Sequence, residues 1–187
     1  MSVFAFVLGL FSVVLGLGMS TLVRSVGQMI EARGRVEHYW VHSCFMAVVF
    51  AAQVVTWLSL WRFSRHSPWT VLQALLLLCP AILLYLVSRL ISPEIEEGRS
   101  YDLRAWYFNH ARWTQGLLLA VALIRLSAQR YIDGYFDQSL NSLASLAFAV
   151  VLLPGIADRR TAVHAAQAVA LVGLMALGVA FVSTPVG

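Results

Sequence analysis

Six apolar blocks, most of them close to twenty residues long, decide what this chain can fold into. They run over about 3–23, 41–61, 69–91, 113–127, 138–156 and 162–182. A helix rises about 1.5 Å per residue, so about 20 residues cross a hydrocarbon core of about 30 Å. Sixty per cent of the chain is hydrophobic and only 12% is charged, with a mean hydropathy of +0.78. A water-soluble domain of this length has no interior large enough to hide that surface. Membrane β-strands alternate apolar and polar residues, whereas the stretch from Leu72 to Leu84 is apolar on every side. The pattern therefore predicts an all-α, polytopic transmembrane bundle of six spans, a single membrane domain over 1–187.

The punctuation of the blocks agrees. Leu22, Val26, Met29 and Ile30 share a face and carry the first helix past Arg24 as far as Gly34. Tyr39-Trp40 and Trp57 with Trp61 bracket the second block as interfacial aromatics do. Pro68 suits a first helical turn, and Pro93 ends the third helix before the polar stretch that follows Ser92. Leu103, Trp106, Tyr107 and Trp113 are spaced to share one helical face. This piece reads either as an amphipathic segment lying along the interface before the fourth span or as the start of a longer fourth helix. No basic residue precedes Arg24 and no small-residue cleavage site follows the first block, so the first span is expected to be retained.

Orientation follows from the arginines, which make up all 13 basic residues, a bias read as compositional drift in a GC-rich genome. Arg24, Arg33, Arg35, Arg89, Arg99, Arg104, Arg112, Arg159 and Arg160 fall on the odd-numbered connections, against Arg62, Arg65, Arg125 and Arg130 on the even ones. The positive-inside rule puts the odd connections in the cytoplasm and both termini outside, in a bacterial inner membrane. Arginines at segment ends meet lipid phosphates, so the net charge of +4 is no argument for nucleic acid. Arg125, in the short fourth span, is the one placed to lie deep. Cys44 and Cys79 both fall inside apolar blocks and do not suggest a disulfide framework.

Candidate chemistry is sparse. His38, His42, His110 and His164 gather at the cytoplasmic end of this topology. On a continuous helix His38 and His42, four apart, share a face and are spaced to hold a transition metal, with Glu37, Glu94, Glu96 or Asp102 completing the site. His42 with His110 or His164 is the pairing that would serve a b-type haem. Interfacial hydrogen bonding is the plainer role for all four. No Asp, Glu or Lys stands at mid-span, which weakens an ion-coupled mechanism. Gln53 lies near the middle of the second span and Pro80 near the middle of the third, where it frees the carbonyl of Leu76. They mark a ligand pocket or, more simply, a packing kink.

Two stripes of small residues, Gly9, Gly16 and Ser20 on the first helix and Ala162, Ala166, Ala170 and Gly173 on the sixth, read as packing surfaces. There is no GxSxG, no phosphate-binding glycine loop, no HExxH and no pair of intramembrane aspartates, and hence no support for catalysis. The sequence favours an accessory or scaffold subunit of a membrane assembly, self-associating or bound to other subunits. A channel or small-molecule transporter with its pocket near Gln53 and Pro80 is the alternative, and a haem- or metal-binding redox protein is third.

Overall fold

Residues 3–65, 69–96, 98–133 and 140–182 are described in a computed structural model. They form six α-helices: α1 (Val3–Glu31), α2 (Trp40–Ser59), α3 (Val71–Ile91), α4 (Leu103–Asp133), α5 (Leu140–Ala157) and α6 (Thr161–Val182). A 3₁₀ turn, Leu60–Arg65, follows α2. Two short strands, β1 (Val36–Glu37) and β2 (Tyr101–Asp102), precede α2 and α4. Four helical stretches are long and apolar enough to cross a membrane: Phe4–Glu31, Trp40–Ser59, Val71–Ile91 and Thr161–Gly178; Ser142–Ala157 is a shorter apolar helix.

Local chemistry sets the helix ends. Thr70 and Gln73 form a reciprocal capping box at the start of α3, with Gln73 N donating to Thr70 Oγ1 (3.3 Å) and Thr70 N to Gln73 Oε1 (3.0 Å). Asp102 Oδ1 accepts from the backbone N–H groups of Arg104 and Ala105, at 2.7 and 3.1 Å, and so satisfies donors that the first turn of α4 leaves free. Ser92 and Pro93 stop α3.

The strands pair in parallel, Val36 opposite Tyr101 and Glu37 opposite Asp102, and bind the first connection to the third. Arg104 Nη2 donates to Thr161 Oγ1 (3.0 Å), which brings the start of α6 to the same end. Successive helices thus alternate in direction, and the three odd connections gather at one end. Helix α3 packs on α1 and α4, α4 on α5, and α2 on α6, around a core that includes Phe11, Phe45, Leu84, Leu118, Leu152 and Leu171. The outward faces remain apolar: Leu10, Val13 and Leu17 on α1, Leu72, Leu75 and Ile82 on α3, and Leu146, Val150 and Leu153 on α5 are exposed.

The fourth helix decides between the two readings of its first residues. Segment 103–113 is no separate interfacial piece; it is the first third of α4. Leu103, Tyr107, Ala111, Thr114, Leu118 and Val121 are all buried, and their steps of three and four residues make one stripe that runs on into the core. Trp113 points outward. At about 1.5 Å per residue the 31 residues of α4 span about 46 Å, longer than a hydrocarbon core is thick.

Candidate functional site

Gln53 and Pro80, paired in the sequence reading as one pocket, serve two different places. Gln53 is fully buried on α2 and donates from Nε2 to Ser88 Oγ on α3 (2.7 Å), and Ser88 in turn donates to Leu84 O (2.8 Å). On its other side lies α1, where Gly18 lets the amide approach: a Cβ built there would sit 2.8 Å from Gln53 Oε1. Gln53 thus bonds to α3 and lies against α1, while its Oε1 is buried without a hydrogen-bond partner.

Pro80 lines a cavity of about 60 Å³. Its walls come from Phe11 on α1, Thr56 and the 3₁₀ turn after α2, Leu76, Leu77 and Pro80 on α3, Arg125 and Gln129 on α4, and Ser145 on α5. Proline has no N–H to bond the carbonyl four residues back, and its ring pushes that carbonyl away. Leu76, whose carbonyl is the one affected, also borders the cavity. Arg125 reaches across to α2, where Nη1 donates to Thr56 Oγ1 at 2.6 Å. Among the described residues no carboxylate pairs with this guanidinium. A second cavity of about 80 Å³, lined by Val121, Phe148 and Met175, shares Thr56, Arg125 and Ser145 with the first, so the guanidinium stands between two voids. Each void has room for a few water molecules or one compact solute. Thr56 is one turn from the end of α2 and Ser145 is five residues into α5, which places both voids in the half of the bundle that faces the even connections.

The four histidines are at the opposite end, in four different settings. His38 lies before α2, and the residue between it and the helix, Tyr39, is extended (φ −126°), so His38 and His42 do not share a helical face. His38 Nε2 meets Ser43 Oγ (3.0 Å) in an exposed position. His42 is fully buried, with Nε2 2.8 Å from Ile91 O, one of the last-turn carbonyls that a helix leaves without an internal donor. His110 bonds back to Trp106 O within α4.

His164 belongs to the largest polar network of the bundle. Its Nε2 lies 2.9 Å from Asp158 O; with Nε2 donating there, Nδ1 accepts from Tyr107 Oη (2.9 Å) and Gln115 Nε2 (3.1 Å). Gln115 Nε2 also lies 3.3 Å from Gln167 Oε1, and Gln167 Nε2 donates to Val151 O (2.7 Å) and Leu152 O (3.2 Å), on the turn just before Pro154. Gly155 makes room for both amides, since a Cβ there would collide with Gln115 and Gln167. The rings of Tyr39, Phe45, Phe108 and His164 pack around Tyr107, at centroid separations of 5.3 to 5.8 Å. Outside the spans, burial pushes the Tyr39 phenol above its ordinary value, and the Arg104 guanidinium offsets part of that rise.

Among the described residues no three of His, Cys, Asp and Glu come together to hold a metal ion. Three of the four carboxylates considered for such a site have other partners: Glu94 pairs with Arg89 (2.8 Å), Glu96 with Arg99 (3.7 Å), and Asp102 caps α4. For a metal or a haem, His42 and His164 would each have to ligate while Nε2 stays bonded to a carbonyl at a helix end.

The small-residue stripes face away from the bundle. Gly9, Gly16 and Ser20 on α1, and Ala166, Ala170 and Gly173 on α6, are exposed, and a Cβ at Gly9, Gly16 or Gly173 would meet nothing within 4 Å. The glycines that admit a neighbour inside the chain are Gly18 and Gly155. Sequence periodicity marked the first group and passed over the second, because a single glycine beside a glutamine on another helix leaves no repeating signal.

No protein-family model matches the chain, and no similar curated protein or solved structure was found.

Proposed function

We propose that this chain is a six-span protein of a bacterial inner membrane that binds, and passes, a small solute at the cavity beside Pro80 and Arg125. The observation that carries this reading is the pair of voids meeting at a guanidinium held inside a helical bundle. A well-packed scaffold fills such volume with side chains. Polar groups converging on a small space inside an otherwise apolar bundle are the usual form of a ligand site. The outward apolar faces support insertion, α5 and the long, arginine-bearing α4 completing the six spans, and the arginine count of the odd connections supports placing that end in the cytoplasm. The cavity then opens toward the extracytoplasmic side.

The second reading, an accessory or scaffold subunit, is favoured by the two outward-facing small-residue stripes, which suit close approach by helices of another chain. The two readings are separated by flux. Proteoliposomes carrying the full chain should lose a panel of small neutral and charged solutes faster than protein-free vesicles. Leu76→Phe, which places a ring toward the cavity, should remove that excess while leaving the protein folded by circular dichroism. Equal leakage with and without the protein, across the whole panel, would leave the scaffold reading.

A further inference from the structure

Resting on that cavity as a solute site, we infer that its ligand is a compact, weakly hydrated monovalent anion, a halide or a planar oxyanion. Five polar side chains line the void, Thr56, Ser59, Arg125, Gln129 and Ser145; Ser59 donates to Thr56 O, and the donors of Arg125, Thr56 and Gln129 are the ones that carry the inference. Arg125 spends one N–H on Thr56 and has five to give. Thr56 Oγ1, by accepting from Arg125, keeps its own proton to donate. Gln129 Nε2 is buried without a hydrogen-bond partner, and it follows Arg125 by four residues, one turn along the same face of α4. A guanidinium, an amide N–H and a hydroxyl around one small void form a set that a neutral or cationic solute leaves unsatisfied and an anion completes.

The size and lining narrow the class. Beyond the polar side chains the walls are apolar, with Phe11, Leu77 and Pro80 closing the space. An ion entering must shed most of its water, and three donors do not replace the hydration of a divalent phosphate or sulfate. Nitrate, iodide or formate gives up water more readily and fits a space of this volume. The position one turn below the end of α2 puts the donors within reach of the extracytoplasmic solution in the proposed topology.

The test uses the full-length protein in lipid nanodiscs, melted in increasing nitrate, iodide or sulfate at constant ionic strength. General salt effects favour sulfate as the stabiliser. The expected result runs against them: a saturable rise in Tm with nitrate and iodide and none with sulfate. Gln129→Leu should weaken the apparent affinity roughly tenfold, Arg125→Gln should abolish the rise, and Arg112→Gln, at the far end of the bundle, should leave it unchanged. A rise that survives in both Arg125→Gln and Gln129→Leu places the anion elsewhere and overturns the inference. Absence of any rise in the wild type overturns the anion class alone; the solute-site reading then stands or falls by whether Leu76→Phe blocks flux of neutral solutes.

Discussion

Replacing Gly155 by alanine adds a single methyl group, and the structure predicts a loss of stability out of proportion to that change. The new Cβ would collide with the amide ends of Gln115 and Gln167, which cannot retreat without breaking their bonds to His164 Nδ1 and to Val151 O. Each buried polar group stranded in this way costs about 1–3 kcal/mol, although hydrogen bonds between helices in lipid have measured nearer 0.6 kcal/mol on average. Against this stands the better helix propensity of alanine, a gain of about 1 kcal/mol. At about 1.5 kcal/mol for each of the two stranded groups the cost is about 3 kcal/mol, and the expected net loss is about 2 kcal/mol. Gly27→Ala on α1 is the matched control, because a Cβ there meets nothing within 4 Å, and it should be neutral or stabilising by up to about 1 kcal/mol. Reversible unfolding in mixed micelles, followed by circular dichroism against denaturing-detergent fraction, reads both. If Gly155→Ala is as stable as Gly27→Ala, the glutamine network is not packed against α5 as described, and the reasoning fails.

His42→Leu should free the Ile91 carbonyl and lower stability by about 1 kcal/mol, with amide exchange rising in the last turn of α3; unchanged exchange there would rule out the capping role. Removing the amide in Gln53→Ala should cost about 2 kcal/mol through the lost bond to Ser88 and the space left against Gly18, and Ser88→Ala in that background should add little further loss. The raised phenol of Tyr39 has a definite sign: the folded state holds the proton more tightly than the unfolded one, so this contribution is complete below the ordinary phenol value of about 10 and is lost as pH climbs above it. Tyr39→Phe should flatten that alkaline loss, as seen by comparing the two melting curves against pH. Single cysteines introduced at Glu96 and at Tyr131 should react with impermeant reagents from opposite sides of intact cells, and labelling of both from one side would end the six-span topology.

How much of this was legible in the sequence differs between fold and site. Apolar length and breakers are properties of consecutive residues, which is why α2, α3 and α6 begin and end within a residue or two of where the blocks do. The start of α4 was not settled, because Arg104 and Arg112 interrupt the apolar window that marks a span. Its buried stripe, carried through by Tyr107, Ala111 and Thr114, continues unbroken, and small or amphipathic residues carry little weight on a hydropathy scale. The site depended on rotation. Gln53 and Pro80 are both central on their helices, but whether two central residues share a space depends on which way each helix turns. The structure gives Gln53 to Ser88 and Gly18, and Pro80 to Arg125 and Thr56. Arg125 was legible as an arginine too deep for its span; Gln129, one turn farther on, carried no signal without the cavity to point at.

The distribution of polar bonding bears on which end of the bundle does the work. Toward the odd connections, bonds among the described residues join one element to another: the backbone ladder of the paired strands, and the side-chain bonds of His42 on Ile91, Arg104 on Thr161, and the chain from Tyr107 through His164 and Gln115 to Gln167. The side-chain bonds involve four of the six helices, α2 with α3 and α4 with α6, and restrain their relative rotation. Tyr39 Oη, His42 Nδ1, Ser92 Oγ and Gln115 Oε1 are nonetheless buried there without hydrogen-bond partners. In the other half, Phe4 stacks with Trp69 and apolar packing predominates, yet Arg125 and Gln129 hold donors beside unfilled space. A ligand gains most where the protein has left volume open and hydrogen-bonding capacity unspent, and here those two conditions coincide at Arg125. Of the four histidines, His42 and His164 bond across elements, whereas His38 bonds to nearby Ser43 and His110 to its own helix. Arg125, with one N–H given to Thr56 and the unpartnered Gln129 amide one turn away, joins spare donors to open space.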